Sequence, residues 1–346
     1  MKLSIYPHTL QLKQRWILAG SEASAGRAEV QIVLVKLEDR SGIVGWGEAS
    51  PSRRLGEDIE QTKQRLLGFT GESLKFENEI EGVSEISRQL SGSRAARAAI
   101  EMAFLDGVAK YAKLPLWKFW KVTQPGGISS FSIGIDSDKV VEEKARAVQN
   151  LPILKLKVGE TSAVSLLAAL RRGAPNVRVR VDANEAWHSR EQALQNIEHL
   201  AKDGLVELVE QPMPAQTAEQ DLIWLKQRSP IPLIADESFT RLEDIERILQ
   251  CFHGINVKLM KLGSLELARQ ALVRAPDYAM LGCMIESSVG ISAAAQLSSL
   301  ARYIDLDGNM LISNDPASGA YLDAGALRFH AVEACGIGVT KIDATL

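Results

Sequence analysis

From about Ser129 onward, short β-rich strings alternate with amphipathic helical stretches, and this alternation limits the possible folds more than any other feature. Most strings are followed by a helical stretch, such as 189–201 or 241–250. Repeated βα units in one segment are typical of a (β/α)8 barrel, and the GxGxxG turn of a dinucleotide-binding sheet is missing. The strand candidates are 131–135, 154–158, 177–181, 206–209, 233–235, 255–259, 280–285 and 303–306.

The first part of the chain has strands before helices. Residues 31–37 form a β-rich run, and Ser41-Gly42 marks a turn before a second run at 43–48. From Glu57 to about Lys113, apolar residues recur at helical spacing. This order predicts an α+β unit in front of the barrel.

The charge balance excludes several classes of protein. Lys and Arg total 40 against 43 Asp and Glu, a net charge of −3, so the clustered basic residues that bind nucleic acid or anionic membranes are not expected. No apolar run reaches the roughly 18 residues that span a bilayer, and the N-terminus lacks the apolar core of a signal peptide. The three cysteines form no CxxC pair. We expect a soluble, cytoplasmic protein.

Three successive strings end in a carboxylate, namely Asp182, Glu210 and Asp236. In a barrel, the C-terminal ends of the strands converge on one mouth. A single carboxylate there is usually a helix N-cap, but three buried together are costly unless a cation neutralises them. Oxygen ligands suit Mg²⁺, which keeps open positions for a substrate. The sequence therefore predicts one Mg²⁺ per active site.

Two lysines flank this row of carboxylates, with Lys157 on the string before it and Lys258 on the string after it. Amines on opposite sides of a metal suit proton transfer at a carbon between them. Lys155 lies on the same strand face as Lys157 and is expected to lower the pKa of Lys157 by like-charge repulsion. Alternatively, Lys155 is an ion-pair partner for the carboxylates.

Taken together, these motifs resemble the enolase superfamily, muconate-lactonising subgroup, over essentially the whole chain. The resemblance implies an N-terminal capping domain (1–125), a barrel (126–320) and a C-terminal segment (321–346) that returns to the capping domain. It also implies that the metal stabilises an ene-diolate made by a lysine base. The matching motifs are Gly45-Trp46-Gly47-Glu48-Ala49, Lys155-x-Lys157, Asp182-x-Asn184, Glu210-Gln211-Pro212, Asp236-Glu237-Ser238 and Lys258.

Within the subgroup, the chain looks most similar to dipeptide epimerases of the L-Ala-D/L-Glu type, through residues 255–263, 284–291 and 305–307. In those enzymes an Asp-x-Asp binds the substrate ammonium group. Asp305 and Asp307 suit this role because they share one strand face, although an ordinary turn is the alternative.

The family's sixth-strand lysine lies five residues before a glycine, here Gly263. This spacing identifies Lys258 and makes Lys261 peripheral. Glu286, at the end of the seventh string, is expected to orient the substrate or its ligands.

The sequence departs from the acidic-dipeptide epimerases in one loop of the capping domain. Those enzymes carry an arginine there that pairs with the glutamate of the substrate. In an ungapped alignment that position falls near Ala23, beside Glu22, and the nearest arginine is Arg27. Glu22 either faces a cationic substrate side chain or is a solvated charge of the small, polar loop 20–26.

The resulting hypothesis is a Mg²⁺-dependent isomerase that epimerises the C-terminal residue of an L-Ala-Xaa-like dipeptide, with Xaa cationic or hydrophobic rather than Glu. We also expect a homo-oligomer. o-Succinylbenzoate synthase, N-acylamino-acid racemase and muconate cycloisomerase share the lysines and ligands, but the Asp305-x-Asp307 pair favours a substrate with a free amine. An inactive barrel acting as a binding protein is the non-enzymatic alternative, and the intact lysines and ligands argue against it.

Overall fold

The computed structural model describes residues 1–16, 26–275 and 277–343. The N-terminal part has an antiparallel sheet of order β1-β2-β3, with the helices packed against it. Its elements are β1 (Lys2–Trp16), β2 (Arg27–Glu38), β3 (Val44–Ala49), α1 (Ile59–Leu67), α2 (Glu79–Gln89), α3 (Arg94–Tyr111) and α4 (Leu116–Phe119).

Eight parallel strands, β4 to β11, follow and lie side by side in chain order, which confirms the predicted barrel. An α-helix follows each strand as far as β10, and the segment Gly308–Leu311 after β11 is a 3-10 helix. The elements are β4 (Phe131–Ile133), α5 (Asp138–Ala147), β5 (Ile153–Lys157), α6 (Ala163–Gly173), β6 (Arg178–Asp182), α7 (Arg190–Ala201), β7 (Val206–Glu210), α8 (Glu219–Arg228), β8 (Leu233–Ala235), α9 (Ile245–Cys251), β9 (Gly254–Val257), α10 (Leu259–Leu262), α11 (Leu265–Arg274), β10 (Met280–Gly282), α12 (Ser288–Ala295) and β11 (Tyr303–Asp305).

Two glycines of β3 allow the sheet of the capping domain to lie directly on α3. A Cβ atom at Gly45 would be 1.8 Å from the carbonyl oxygen of Ala103, and one at Gly47 would be 2.0 Å from that of Ala99. Protein interiors are close-packed, so neither position has room for a side chain. The Gly-Trp-Gly motif is therefore explained by the contact between β3 and the alanine-rich face of α3.

The interior of the barrel is layered because side chains alternate along each strand. Leu208, Ile234 and Tyr303 belong to a buried apolar cluster inside the barrel. Two residues further along each strand or just past its end, and thus on the same face, stand Glu210, Asp236 and Asp305. An apolar layer therefore supports a charged layer at the C-terminal end of the barrel.

Few contacts join β4 and β11, the first and last strands of the barrel. Ser129 and Ile304 form an isolated parallel bridge, and the amide of Ser130 donates to the carbonyl of Ile304 over 3.0 Å. Arg180, on β6, reaches across the interior and donates from Nη1 to the same carbonyl over 2.6 Å. The barrel is thus closed partly by a side chain.

The C-terminal segment forms β12 (Ala317–Ser318), β13 (Ala320–Asp323), β14 (Ala326–Phe329) and β15 (Lys341–Ile342). It contacts the capping helices, because Nε1 of Trp117 donates to the carbonyl of Val332 over 3.3 Å and the amide of Ile337 donates to Asp106 Oδ1 over 2.8 Å. Within the described residues, no helix combines the length and apolarity needed to cross a membrane.

Two carboxylates of the capping domain cap helices of the barrel. Glu48, on β3, accepts hydrogen bonds from the amides of Ser287 and Gly290 at the start of α12, over 3.0 and 3.1 Å. Glu101, on α3, accepts from Ser264 Oγ (2.6 Å) and the amide of Glu266 (3.0 Å) at the start of α11. Helix N-termini leave backbone amides without partners inside the helix, and these hydrogen bonds supply partners that fix the capping domain on the barrel.

Candidate active site

The three carboxylates predicted as metal ligands lie at the ends of three neighbouring strands. Asp182 and Glu210 are the last residues of β6 and β7 and are paired in register, and Asp236 directly follows β8. All three are buried, with at most 3% of their surface exposed. Their proximity follows from the parallel register of the barrel.

Lys157 and Lys258 lie on either side of this row, since β5 and β9 are separated by β6, β7 and β8. The Nζ of Lys157 donates to Asp182 Oδ2 over 2.6 Å and to Asn184 Oδ1 over 2.9 Å. The Nζ of Lys258 donates to Asp236 Oδ2 over 2.7 Å. Both side chains line the same cavity, of about 430 Å³.

Lys155 lies at the centre of the carboxylates. Its Nζ is 2.6 Å from Glu210 Oε2, 2.8 Å from Asp305 Oδ2 and 3.2 Å from Asp182 Oδ2. Burial opposes its charge, but the carboxylates outweigh burial and raise the pKa of Lys155 well above its ordinary value. Lys155 therefore has the ion-pair contacts that were given as its alternative role.

Asp305 and Asp307 lie side by side at the end of β11, and both line the cavity. Asp305 Oδ1 accepts from Ser130 Oγ over 2.6 Å, and Asp307 Oδ2 accepts from the amide of Ser132 over 2.6 Å. Burial and the charge of Asp305 raise the pKa of Asp307 to about 6. A second cation beside Asp307 would relieve this repulsion, as expected for an ammonium site.

Two residues differ from expectation. Lys261 was expected to be peripheral, which is wrong: it is 2% exposed, lines the cavity and places Nζ 2.5 Å from Asp236 Oδ1. Glu286 does not line the cavity. It is buried and accepts from the amide of Met284 over 2.7 Å, so it supports the segment 283–285, which does line the cavity.

The capping domain closes the cavity from the other side. Ser50, Ser52 and Arg54 line it, and Arg54 Nη1 donates to Glu237 Oε1 over 2.6 Å. Arg27 also lines the cavity. Glu22, which we expected to face the substrate, lies outside the described residues.

Sequence reasoning did not select Glu237 or Arg54 as site residues. Glu237 was visible inside the Asp236-Glu237-Ser238 motif, and its place directly after a ligand was the available signal. Burial and the neighbouring Asp236 and Asp182 raise the pKa of Glu237 to about 7. Arg54 gave no signal, because its position depends on how the capping domain docks on the barrel.

Residues with left-handed backbones, among them Asn184 and Gln211, shape the loops around the carboxylates. Asn184 has φ 43° and Gln211 has φ 37°, a region that few residues other than glycine adopt. The amide of Asn184 donates to Asp182 Oδ1 over 3.0 Å. Oε1 of Gln211 accepts from the amides of Asp236 and Ser238, over 2.9 and 3.0 Å. This strain is maintained next to the proposed ligands, which is typical of functional sites.

The carboxylates fit a hard divalent cation. Among the described residues, no three acidic, histidine or cysteine side chains are arranged closely enough to hold an ion. Lysine amines contact one oxygen of each of the three carboxylates. Burial, Asp182 and Asp236 together outweigh the effect of Lys155 and raise the pKa of Glu210 to about 8. The donors that these three side chains offer are all oxygen, as Mg²⁺ requires.

Comparison with known proteins gives matches over nearly the whole chain. Residues 12–120 match the N-terminal domain model of mandelate racemase / muconate lactonizing enzyme, and residues 139–341 match the enolase C-terminal domain-like model. The chain is 41% identical to the L-Ala-D/L-amino acid epimerase of Pedosphaera parvula, covering 98% of this chain and 99% of that protein. It is 35% identical to the L-Ala-D/L-Glu epimerase of Bacteroides thetaiotaomicron, covering 99% and 88%.

A similar solved structure is the dipeptide epimerase from Enterococcus faecalis V583 complexed with Mg and the dipeptide L-Leu-L-Tyr. Its TM-score is 0.87 at 28% sequence identity, and the match covers 98% of this chain and 99% of that one.

Proposed function

The chain belongs to the enolase superfamily, in the family of mandelate racemase and muconate lactonizing enzyme, and we propose from this membership and from the site that it is a Mg²⁺-dependent dipeptide epimerase. The observation that carries the proposal is the placement of Lys157 and Lys258, which line one cavity, on either side of a row of three buried carboxylates. An isomerase that inverts a carbon centre needs a proton acceptor on one face and a donor on the other.

The substrate is placed by its two charged ends. Asp182, Glu210 and Asp236 would hold the metal, and the C-terminal carboxylate of the dipeptide would bind there. Asp307, with Asp305, would hold the α-ammonium group by charge-assisted hydrogen bonds. The α-carbon of the C-terminal residue would then lie between these ends, in the cavity that both lysines line.

The reaction moves one proton off the α-carbon and another onto its opposite face. One lysine, as the neutral amine, takes the α-proton, and the other, as the ammonium, returns a proton from its own side. Lys157 and Lys258 exchange these roles with the configuration of the substrate. When bound, Mg²⁺ supplies the positive charge that stabilises the negative charge developing on the carboxylate.

For the C-terminal side chain we propose a hydrophobic or cationic group rather than a carboxylate. Three arginines of the capping domain, Arg27, Arg54 and Arg94, line the cavity, and Arg54 already pairs with Glu237 and lies 3.9 Å from Glu185. Apolar side chains also line the cavity, among them Leu55, Met284 and Ile285. An acidic side chain beside Arg54 would compete with these carboxylates for that arginine.

The test is incubation of a dipeptide library with the protein and Mg²⁺ in deuterated water, followed by mass spectrometry. We expect one deuterium at the α-carbon of the C-terminal residue, and the rates rank the side chains. Incorporation of deuterium only into N-succinylated amino acids, or dehydration of a succinyl-cyclohexadiene acid, would contradict the proposal. Fastest exchange with Ala-Glu would contradict only the side-chain preference.

A further inference from the structure

Glu210 is held from behind by one side chain. The Nδ2 of Asn256 donates to Glu210 Oε1 over 2.7 Å, and Asn256 is fully buried and does not line the cavity. Among the described residues, the other oxygen, Oε2, receives no aligned hydrogen bond and lies 2.6 Å from the Nζ of Lys155. One oxygen of this carboxylate is therefore fixed, while the other faces the centre of the cluster.

The room for the Asn256 amide depends on the neighbouring strand. A Cβ atom at Gly282, on β10, would be 2.5 Å from Asn256 Oδ1 and 2.8 Å from its Nδ2. That Oδ1 has no hydrogen-bond partner among the described residues. A buried amide with an unpaired oxygen lowers the stability of the folded protein. The presence of asparagine at position 256 is therefore better explained by the hydrogen bond from its Nδ2 to Glu210 than by a contribution to stability.

Lys261 connects this support to a second carboxylate. Its Nζ donates to the backbone carbonyl of Asn256 over 2.8 Å and to Asp236 Oδ1 over 2.5 Å. Asp236 Oδ2 remains on the cavity side, where it accepts from Lys258. Asp236 therefore resembles Glu210, since one oxygen of each is held by this support and the other contacts a lysine amine, that of Lys258 or Lys155. Glu210, Asn256, Lys261 and Asp236 form one hydrogen-bonded chain.

We propose that Asn256 and Lys261 are positioning residues that fix Glu210 and Asp236 for the metal, each by holding one carboxylate oxygen. The inference rests on the proposed function, since it requires that these carboxylates bind Mg²⁺. Loss of such outer partners typically lowers metal affinity or activity by about 10–100-fold. Asn256 brings no net charge to the site, so replacing it with an apolar residue leaves the charge of the site unchanged.

The first experiment measures Mn²⁺ binding by electron paramagnetic resonance, which needs no turnover. We expect Asn256→Leu to raise the Mn²⁺ Kd by about 10-fold or more. Gly282→Ala should raise it as well, because the added methyl displaces the amide while leaving Asn256 itself unchanged. The matched control is Gln296→Met, which removes a buried amide that bonds Trp117 and Ile337 far from the cavity.

The second experiment tests Lys261→Met, with Lys110→Met as the matched control. Lys110 lies in the capping domain and, like Lys261, donates to one aspartate, Asp106, and to a backbone carbonyl. We expect a weaker Mn²⁺ affinity and a lower kcat only for Lys261→Met, with partial rescue by Lys261→Arg. Tighter Mn²⁺ binding in Lys261→Met would show that this lysine acts only as an opposing charge and would overturn its positioning role.

An unchanged Kd in both Asn256→Leu and Gly282→Ala overturns the role of Asn256. If Asn256→Leu does not fold, as judged by circular dichroism, Gly282→Ala and Asn256→Ser decide the question. When wild-type protein binds Mn²⁺ and epimerises dipeptides but the variants match it, the inference alone fails. When wild-type protein binds no divalent cation, the inference and the proposed function fail together.

Discussion

The Nζ of Lys157 donates to Oδ2 of Asp182 over 2.6 Å, so a proposed base directly contacts a proposed metal ligand on the adjacent strand. Lys258 has the same relationship to Asp236, at 2.7 Å. Each lysine is thus held by the carboxylate beside it, on opposite sides of the row. Both amines would be free to face the cavity once these oxygens bind a metal instead.

Replacing one lysine should separate proton exchange from epimerisation. In Lys157→Gln or Lys258→Gln, epimerisation falls by about 10²–10⁴-fold, because the second proton donor is missing. The remaining lysine still exchanges the α-proton of one configuration, so each variant exchanges only L- or only D-substrate in deuterated water. We expect opposite preferences for the two variants by NMR. Near-normal epimerisation by either variant would rule out the two-base assignment.

Asp307→Asn should weaken the binding of dipeptides through their free amine. A hydrogen bond to a charged group contributes about 1.5–3 kcal/mol, so kcat/KM should fall by about 10–100-fold, mainly through KM. Asp315→Asn is the control, since that carboxylate accepts from Ser288 and does not line the cavity. An equal loss in both variants would remove Asp307 from the substrate site.

Removal of the metal should lower thermal stability. A ligand at 100 times its Kd stabilises the folded state by about 2.7 kcal/mol, so Mg²⁺ should raise the melting temperature of protein treated with EDTA. Glu210→Gln should lose most of this increment, because a proposed ligand is neutralised. The check is the melting temperature of both proteins, measured by scanning calorimetry at increasing Mg²⁺ concentrations. An equal rise in both proteins would exclude Glu210 as a ligand.

Two buried carboxylates should make stability fall as the pH rises. Burial and Glu286 raise the pKa of Glu48 to about 8, and burial raises that of Glu286 to about 7. Since both values lie above the ordinary 4.5, the folded state retains protons that the unfolded state loses. Their contribution to stability is complete below pH 4.5 and is lost as the pH rises to about 7–8.

Glu286→Gln removes one of these charges and its repulsion of Glu48. The free energy of unfolding of the variant, relative to that of wild type, should be higher at pH 8 than at pH 5 by on the order of 1–3 kcal/mol. Urea unfolding in saturating Mg²⁺ measures this difference, with Glu198→Gln, on the exposed face of α7, as the control. A parallel pH dependence in both proteins would show that the pair does not titrate as described.

Gly47→Ala should destabilise the capping domain. The new methyl would lie 2.0 Å from the carbonyl oxygen of Ala99, and overpacking of this kind costs about 1–3 kcal/mol or more. Gly126→Ala, where no atom lies within 4 Å of the new methyl, should leave the urea midpoint close to that of wild type. Equal midpoints would mean that β3 can move away from α3 at little cost.

The barrel and the row of ligands could be predicted because both follow from local pattern. Each proposed metal ligand directly follows a β-rich run of residues in the sequence. Parallel strands place their C-terminal ends at the same side of the barrel, so these ligands lie close together. The limits of single elements were less certain. The sixth string was expected to continue through residue 259, but β9 ends at Val257 and α10 begins directly after Lys258. Because the helix begins early, Lys261 lies close to Asp236. A strand that continued through residue 259 would not predict this contact.

The contact of Arg54 depends on the docking of two domains, and no sequence period encodes that. Glu286 follows the seventh strand, as the ligands follow theirs, yet it does not line the cavity and its Oε1 accepts from the amide of Met284, two residues earlier. Arg54 reaches Glu237 across a distance of 183 residues in the chain. Side chains that join separate elements are therefore the part of the site that sequence reasoning locates least well.

The capping carboxylates Glu48 and Glu101 have a consequence for how such enzymes can be recombined. A capping domain transplanted from a relative would dock on this barrel only if it brought an acid to both anchor points, opposite Ser287 and Ser264. The loop at 50–55 has anchor points of its own, because Ser50 Oγ donates to the carbonyl of Ile285 over 2.9 Å and Arg54 pairs with Glu237. A transplanted domain or loop would therefore have to reproduce these contacts as well, and protein engineers should preserve both sets when they exchange parts between relatives.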